Sequence, residues 1–225
     1  MRPMLDILSW QVYSYILFNH ILGLVVPGIL YLIFLRQYSK KRGVDIYWPK
    51  FIIGLVVIII TGRYFARGVF DLMYAGGLFL AKYRLGEGSI MFGGFVGVAV
   101  SVILITRLRK RNTLFWLDVT SIWLAFALGI RKIGCFLTGC CRGTETILPW
   151  GVTFPGSMVP VHPLQLYESI FGFAMAIYLW RRFMRRDMPD GTGFFLFFSL
   201  FSLLRLVTLP IREYLHMRTL LHSGQ

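Results

Sequence analysis

Six long apolar runs constrain the fold of this 225-residue chain more than any other feature. They lie at residues 13–35, 51–72, 90–106, 114–137, 164–180 and 193–211. A helix of about 20 apolar residues crosses the ~30 Å hydrocarbon core of a bilayer. The hydrophobic content of 56% and the mean hydropathy of +0.66 lie outside the range typical of soluble domains. We therefore predict an all-α integral membrane protein with about six transmembrane helices in one bundle, forming a single domain over residues 1–225.

Clusters of basic residues between these runs predict the orientation of the chain. Segments 36–50, 107–112 and 181–191 carry five, four and four Lys or Arg residues, whereas the remaining two loops carry few. Cytoplasmic loops are the ones enriched in Lys and Arg. The prediction is that loops one, three and five face the cytoplasm and both termini lie outside. Because the net charge of +14 comes partly from these clusters, nucleic-acid binding is not predicted.

Five basic residues fall inside the apolar runs or at their ends: Arg63, Arg67, Arg131, Lys132 and Arg205. Each costs at least ~2.5 kcal/mol in a bilayer unless it has a partner or a polar cavity. Three acidic residues lie near these runs: Asp71, Asp118 and Glu168. Two explanations remain open. The cations bind an anionic guest such as a phospholipid headgroup, which suits the guanidinium fork, or they form internal salt bridges such as Lys132 with Glu168.

The stretch "HPLQLYES", residues 162–169, begins a predicted helix at Pro163. His162 then lies near the cap, and Gln165, Glu168 and Ser169 share the polar side of the first turns. Tyr167 lies near the membrane interface. His162 is either a general base or an ordinary interfacial residue.

The three cysteines, Cys135, Cys140 and Cys141, follow a C-x4-C-C pattern on the predicted outer side. They are small packing residues, or they include a disulfide such as Cys135 with Cys140, or one is a nucleophile activated by nearby cations. The C-x-x-C pairs of common zinc sites are absent, and adjacent cysteines do not easily ligate one ion, so no metal site is predicted.

Taken in order, these motifs resemble the prolipoprotein diacylglyceryl transferase family, from about Gln11 to Glu213. "VYSYIL" with Tyr15, the Gly62-Arg63 pair, "FGGFVG" with Gly93 and Gly94, "GIRKIGCFLTG" and "HPLQLYE" match successive family motifs. Arg205 and Arg212 match two arginines of the penultimate family span, and the arginine matched by Arg205 is one of the family's functional residues.

The resemblance implies a multi-pass enzyme of the bacterial cytoplasmic membrane with its site toward the outer face. Such enzymes move the diacylglyceryl group of phosphatidylglycerol onto the cysteine thiol of a lipoprotein precursor and release glycerol phosphate, without a cofactor. The catalytic residues expected here are His162, Arg205, Lys132, Arg131, Cys140 and Cys141. The substrate-binding residues expected are Arg63, Gly93, Gly94, Gln165, Tyr167, Glu168 and Tyr15.

The chain also departs from the family pattern. Phe92 replaces the family histidine before Gly-Gly, and phenylalanine cannot transfer a proton. Lys132 replaces the signature arginine, although Arg131 is adjacent, and Leu209 replaces an acidic residue. Two alternatives therefore remain, a catalytically lapsed or repurposed phospholipid-binding protein and a transporter of an anionic lipid or solute.

Overall fold

The protein is all-helical over the residues that its computed structural model describes, which are 17, 21–42, 48–70, 91–155, 158–185 and 188–212. Within these ranges there is no extended strand, and only three isolated β-bridges occur. Six helices are present: α1 (Gly23–Arg42), α2 (Trp48–Phe70), α3 (Met91–Leu108), α4 (Thr113–Leu137), α5 (Leu164–Arg185) and α6 (Thr192–Val207).

The predicted helical class is confirmed, and the helices follow the apolar runs with shifted ends. The last run was predicted to continue to 211, but α6 already ends at Val207. Pro210 explains this end, since proline has no backbone N–H and disfavours helical geometry in the residue before it. The prediction for residues 13–20 lies almost wholly outside the described residues.

Among the described residues, α4 is the one helix both long and apolar enough to cross a membrane. Shorter apolar helical segments lie at Val25–Gln37, Ile52–Ala66, Gly93–Leu108 and Thr192–Val207. The number of spans and the arrangement of the predicted bundle therefore stay predictions.

The contacts divide the chain into two compact units. The first contains Ala125–Tyr178, the chain up to Leu30 and the chain from Phe195 onward. The second contains Tyr31–Leu124 and Leu179–Phe194. Helices α1, α4, α5 and α6 each contribute residues to both units.

In the second unit, glycines allow α2 and α3 to pack closely. A β-carbon on Gly97 would overlap the Cβ of Phe65, and one on Gly62 would lie 2.8 Å from a methyl of Val98. A hydroxyl pair, Thr61 Oγ1 and Ser101 Oγ at 2.5 Å, joins the same two helices. Gly97 of the "FGGFVG" stretch therefore allows the two helices to approach closely.

Asp118, buried in α4, organises the start of α6 within the second unit. Its two carboxylate oxygens accept hydrogen bonds from the backbone N–H groups of Gly191 (2.6 Å) and Phe194 (2.8 Å). These N–H groups lie at a helix start, where they have no partner inside the helix. The carboxylate therefore acts as a cap supplied by another helix.

Candidate functional site

A buried ion cluster around Glu168 is the main polar feature of the first unit. Glu168 Oε2 lies 2.5 Å from Lys132 Nζ, and Glu168 Oε1 lies 3.0 Å from Arg205 Nη1. Arg212 Nη2 also donates to Oε1. The Glu168 and Lys132 side chains are only 1% and 4% exposed, and that of Arg212 is 11% exposed. Three cations from three parts of the chain thus share one carboxylate.

A glycine contact sets the register that brings Lys132 to Glu168. A β-carbon on Gly172 would lie 2.6 Å from the backbone N of Gly129, so α4 and α5 touch through their backbones at this point. Ser169 Oγ donates to the carbonyl of Gly129 at 2.8 Å and fixes the same register. One turn from this contact, Lys132 on α4 and Glu168 on α5 face each other because the two helices run antiparallel.

The early end of α6 places Arg212. After Val207 the chain turns through 208–211, and the carbonyl of Ile211 accepts a hydrogen bond from the N–H of Thr144 at 2.9 Å. Gly143 pairs with Arg212 in an antiparallel β-bridge. These backbone contacts hold Arg212 against the loop between α4 and α5, from where its guanidinium reaches Glu168.

The cluster carries more positive than negative charge. Among the residues that the structure describes, three cations and one carboxylate leave an excess of two positive charges. The salt bridge considered from the sequence, Lys132 with Glu168, is present, but it does not balance the cluster. Arg205 is 44% exposed, so one guanidinium of the cluster can be reached from outside. A charge excess of this kind favours an anionic ligand.

The C-terminal end of α4 brings Cys135 and Cys140 together. Cys140 N–H donates to the carbonyl of Cys135, and Gly139 N–H donates to that of Phe136, both at 3.1 Å. These two bonds form a Schellman motif, in which Gly139 adopts the required positive φ of 69°. The residues at the positions of Cys135 and Cys140 normally contact each other in this motif. A glycine immediately before the second cysteine of C-x4-C therefore predicts that the two side chains meet.

The third cysteine joins them through an unusual backbone conformation. Cys141 has a φ of 58°, which is uncommon for a residue other than glycine. The three sulfur atoms lie within 4.8 Å of one another. All three cysteines are free thiols in the structure, so the disulfide considered from the sequence is not formed.

Electrostatics distinguish Cys141 from its neighbours. Hydrogen bonds with the thiols of Cys135 and Cys140 lower the pKa of Cys141 below the ordinary value. Desolvation opposes this shift, and the charges of Lys132 and Arg212 add to the lowering. The thiol cluster is therefore electrostatically linked to the ion cluster.

The residues of the "HPLQLYES" stretch occupy distinct places around this region. His162 precedes α5, and its Nδ1 lies 3.4 Å from the hydroxyl of Tyr167, which also accepts a hydrogen bond from Trp150 Nε1 at 2.9 Å. The N–H of Gly143 donates to the carbonyl of His162 at 2.9 Å, which ties this residue to the loop that carries Arg212.

Gln165 connects the thiol region to α5. It is completely buried, and its Nε2 donates to the carbonyl of Cys140 at 2.6 Å. Its Oε1 is buried without a hydrogen-bond partner among the described residues. A buried acceptor without a partner favours binding of a molecule whose hydroxyl group can donate a hydrogen bond to it.

Other expected site residues fall outside this arrangement. Arg63 and the glycines Gly93 and Gly94 belong to the second unit, where Gly94 faces the Cβ of Ala66. Arg131 is half-buried on α4. Tyr15 lies outside the described residues, as do the side chains of Phe92 and Arg67.

Arg212 is the functional candidate that the sequence reasoning left out. It matched a family arginine, but the resemblance assigned only Arg205 of the two arginines to the functional set. Pro210 was the available signal, since a chain that turns before proline can carry Arg212 back toward α5.

An all-helical protein with this hydropathy and with buried cations that exceed their carboxylates is typical of integral membrane proteins that bind an anionic group. The comparisons with known proteins narrow this class. The sequence model of the family described as "Prolipoprotein diacylglyceryl transferase" matches residues 3–225. The chain therefore belongs to the prolipoprotein diacylglyceryl transferase family.

Several relatives carry the same name, phosphatidylglycerol–prolipoprotein diacylglyceryl transferase. The protein of Clostridium tetani (strain Massachusetts / E88) is 32% identical over 217 residues, which cover 92% of this chain and 84% of the relative. The protein of Mannheimia succiniciproducens is 34% identical over 63% of this chain. The protein of Cupriavidus pinatubonensis is 40% identical over 52% of this chain. These two matches span 55% and 44% of the relatives' lengths.

Proposed function

We propose that this protein transfers the diacylglyceryl group of phosphatidylglycerol to the cysteine thiol of a prolipoprotein. The names of its relatives give this donor and this acceptor. The observation that carries the proposal for this chain is the excess of two positive charges around Glu168, combined with the exposure of Arg205. A phosphatidylglycerol headgroup carries a phosphodiester anion, and guanidinium groups bind phosphate oxygens in a bidentate manner.

The proposed setting is the bacterial cytoplasmic membrane, crossed about six times, with both termini and the site toward the outer face. The pattern of basic loops supports this orientation, because it assigns segments 36–50, 107–112 and 181–191 to the cytoplasm. The ion cluster and the cysteine loop then lie at the outer ends of α4, α5 and α6. A phospholipid of the outer leaflet has its headgroup at that depth.

The reaction breaks the bond between the glyceryl carbon of the diacylglyceryl group and the phosphate oxygen. The acceptor sulfur attacks that carbon and forms a thioether, and glycerol phosphate leaves with the bonding electrons. The thiol proton passes to a base. Arg205, Lys132 and Arg212 stabilise the charge that develops on the leaving phosphate, and Arg131 lies on the same helix as Lys132.

His162 is the proposed base, because Phe92 cannot take a proton and His162 adjoins the loop held against Arg212. Tyr167 orients its ring, and the free Oε1 of Gln165 accepts a hydroxyl of the headgroup. Cys140 or Cys141 would take part only in a covalent route, in which a protein thiol first accepts the diacylglyceryl group.

The substrate-binding roles of Arg63, Gly93, Gly94 and Tyr15 remain proposals from the family resemblance. Gly94 packs against α2, so an effect of its substitution on transfer would need separation from an effect on folding.

The proposal is tested with purified protein in vesicles of phosphatidylglycerol and a lipobox peptide, using mass spectrometry of the peptide. We expect a peptide mass increased by one diacylglyceryl group, and we expect Arg205→Gln to reduce the rate at least 10-fold. Arg185→Gln, an exposed position at the far end of α5, is the matched control and should retain the rate. Transfer undiminished in Arg205→Gln would refute the assignment of the site.

Phe92, which stands in place of the family histidine, supports one alternative function, a phospholipid-binding protein without transfer activity. If the protein binds phosphatidylglycerol but yields no modified peptide, it is a phospholipid-binding relative without transfer activity. In an active enzyme, His162→Gln abolishes peptide modification. Diacylglyceryl found on the protein itself would instead indicate the covalent route through Cys140 or Cys141.

A further inference from the structure

We propose that Cys135, Cys140 and Cys141 form a three-coordinate thiolate site for a soft monovalent metal ion, Cu(I). The three sulfur atoms lie within 4.8 Å of one another, although they come from a helix end and the loop after it. A metal–sulfur bond of about 2.3 Å in a trigonal plane requires sulfur atoms about 4.0 Å apart. The observed cluster therefore needs only small side-chain adjustments to hold an ion.

The backbone brings these ligands together before any ion binds. The Schellman motif fixes Cys135 and Cys140 one above the other, with the Cys140 N–H bonded to the Cys135 carbonyl. The positive φ of Cys141 turns the next thiol toward the same point. A left-handed backbone in a residue other than glycine costs of order 1 kcal/mol, so its presence here requires a compensating interaction. This conformation removes the objection that adjacent cysteines cannot share one ion.

The number and type of ligands favour Cu(I) over zinc. Thiolates are soft ligands that select Cu(I), zinc and iron–sulfur clusters. Structural zinc sites are almost always four-coordinate, whereas only three His, Cys or carboxylate ligands converge at this point among the described residues. Cys135 is buried and Cys141 is exposed, so the site has an interior ligand and an entry path from outside.

Charge supports the same ion. Cu(I) bound to three thiolates carries two negative charges, and each sulfur releases its proton to water when the copper bond forms. Two members of the ion cluster around Glu168, Lys132 and Arg212, act electrostatically on Cys141 and favour a negatively charged complex there. This inference does not depend on the proposed transfer reaction.

The test is a competition experiment with fully reduced, purified protein and Cu(I) held by a chromogenic chelator under anaerobic conditions. We expect one Cu(I) per chain to move from the chelator to the protein. X-ray absorption at the copper edge should report three sulfur ligands. Cys141→Ser, which changes an exposed side chain, should reduce Cu(I) affinity at least 100-fold while the helical circular dichroism stays the same. Thr144→Ala, an exposed position in the same loop, should keep the full affinity.

Three results would overturn the proposal. The first is failure of the reduced protein to take Cu(I) from the chelator. The second is equal Cu(I) binding by Cys141→Ser. The third is a Cys135–Cys140 disulfide that persists in protein isolated without reductant and resists mild reduction, since two of the three ligands would then be lost.

Discussion

Replacing Glu168 by glutamine tests the ion cluster most sharply. The substitution keeps the size of the side chain but removes the one carboxylate that three cations share. The excess charge of the cluster rises from two to three. Lys132 is affected most, because its side chain is only 4% exposed and its charge stays buried.

The expected loss of stability follows from these exposures. Removing one partner of a buried ion pair costs about 3–5 kcal/mol, because the other charge stays buried. Arg205 is too exposed to add a large term. We therefore expect Glu168→Gln to lower the free energy of unfolding by about 3–5 kcal/mol. The measurement is denaturant unfolding in detergent micelles, followed by tryptophan fluorescence.

Two further variants test whether a stranded buried charge causes this loss of stability. Glu145→Gln makes the same chemical change at an exposed position in the loop between α4 and α5, and it should change the stability by less than about 0.5 kcal/mol. Adding Lys132→Met to Glu168→Gln removes the stranded charge and should recover part of the loss. A loss below about 1 kcal/mol in Glu168→Gln, or no recovery in the double variant, would refute a buried and positively charged cluster.

Three other predictions concern packing, capping and orientation. Gly172→Ala should destabilise the protein by about 1–3 kcal/mol, since the added β-carbon would meet Gly129. Gly54→Ala should not destabilise it, because no atom lies within 4 Å of the added β-carbon. Unfolding in denaturant measures both effects. Asp118→Ala should cost about 1–3 kcal/mol in the same assay because two N–H groups lose their acceptor. In a cysteine-free protein, an impermeant maleimide applied to spheroplasts should label Met158→Cys but not Arg109→Cys; the reverse pattern would contradict the proposed orientation.

Residues close together in sequence allowed good predictions. The helical class followed from apolar runs whose length is set by a repeating backbone. Glu168, Gln165 and Ser169 were expected on one polar side, and the structure buries all three. Local spacing determines which residues share a helix face, so these features needed no knowledge of tertiary contacts.

Features that depend on chain reversals were harder to predict. Arg212 reaches Glu168 because α6 ends early and the chain returns to the loop between α4 and α5, and a run of apolar residues does not reveal such a turn. The cysteine cluster was missed for a different reason. Its formation depends on the positive φ of Cys141, which residue type does not predict. The role of Asp118 as a cap for α6 likewise depends on residues more than 70 positions away.

Lipid selectivity of the purified protein is the most direct test of the account. Native mass spectrometry of the protein with phosphatidylglycerol and phosphatidylcholine gives the ratio of the two dissociation constants. We expect a preference for phosphatidylglycerol that falls about 10-fold, equivalent to about 1.4 kcal/mol, in Arg205→Gln and stays unchanged in Arg185→Gln. Equal binding of the two lipids by the unaltered protein, or a preference that survives Arg205→Gln, would contradict the claim that the uncompensated cations beside Glu168 hold an anionic headgroup.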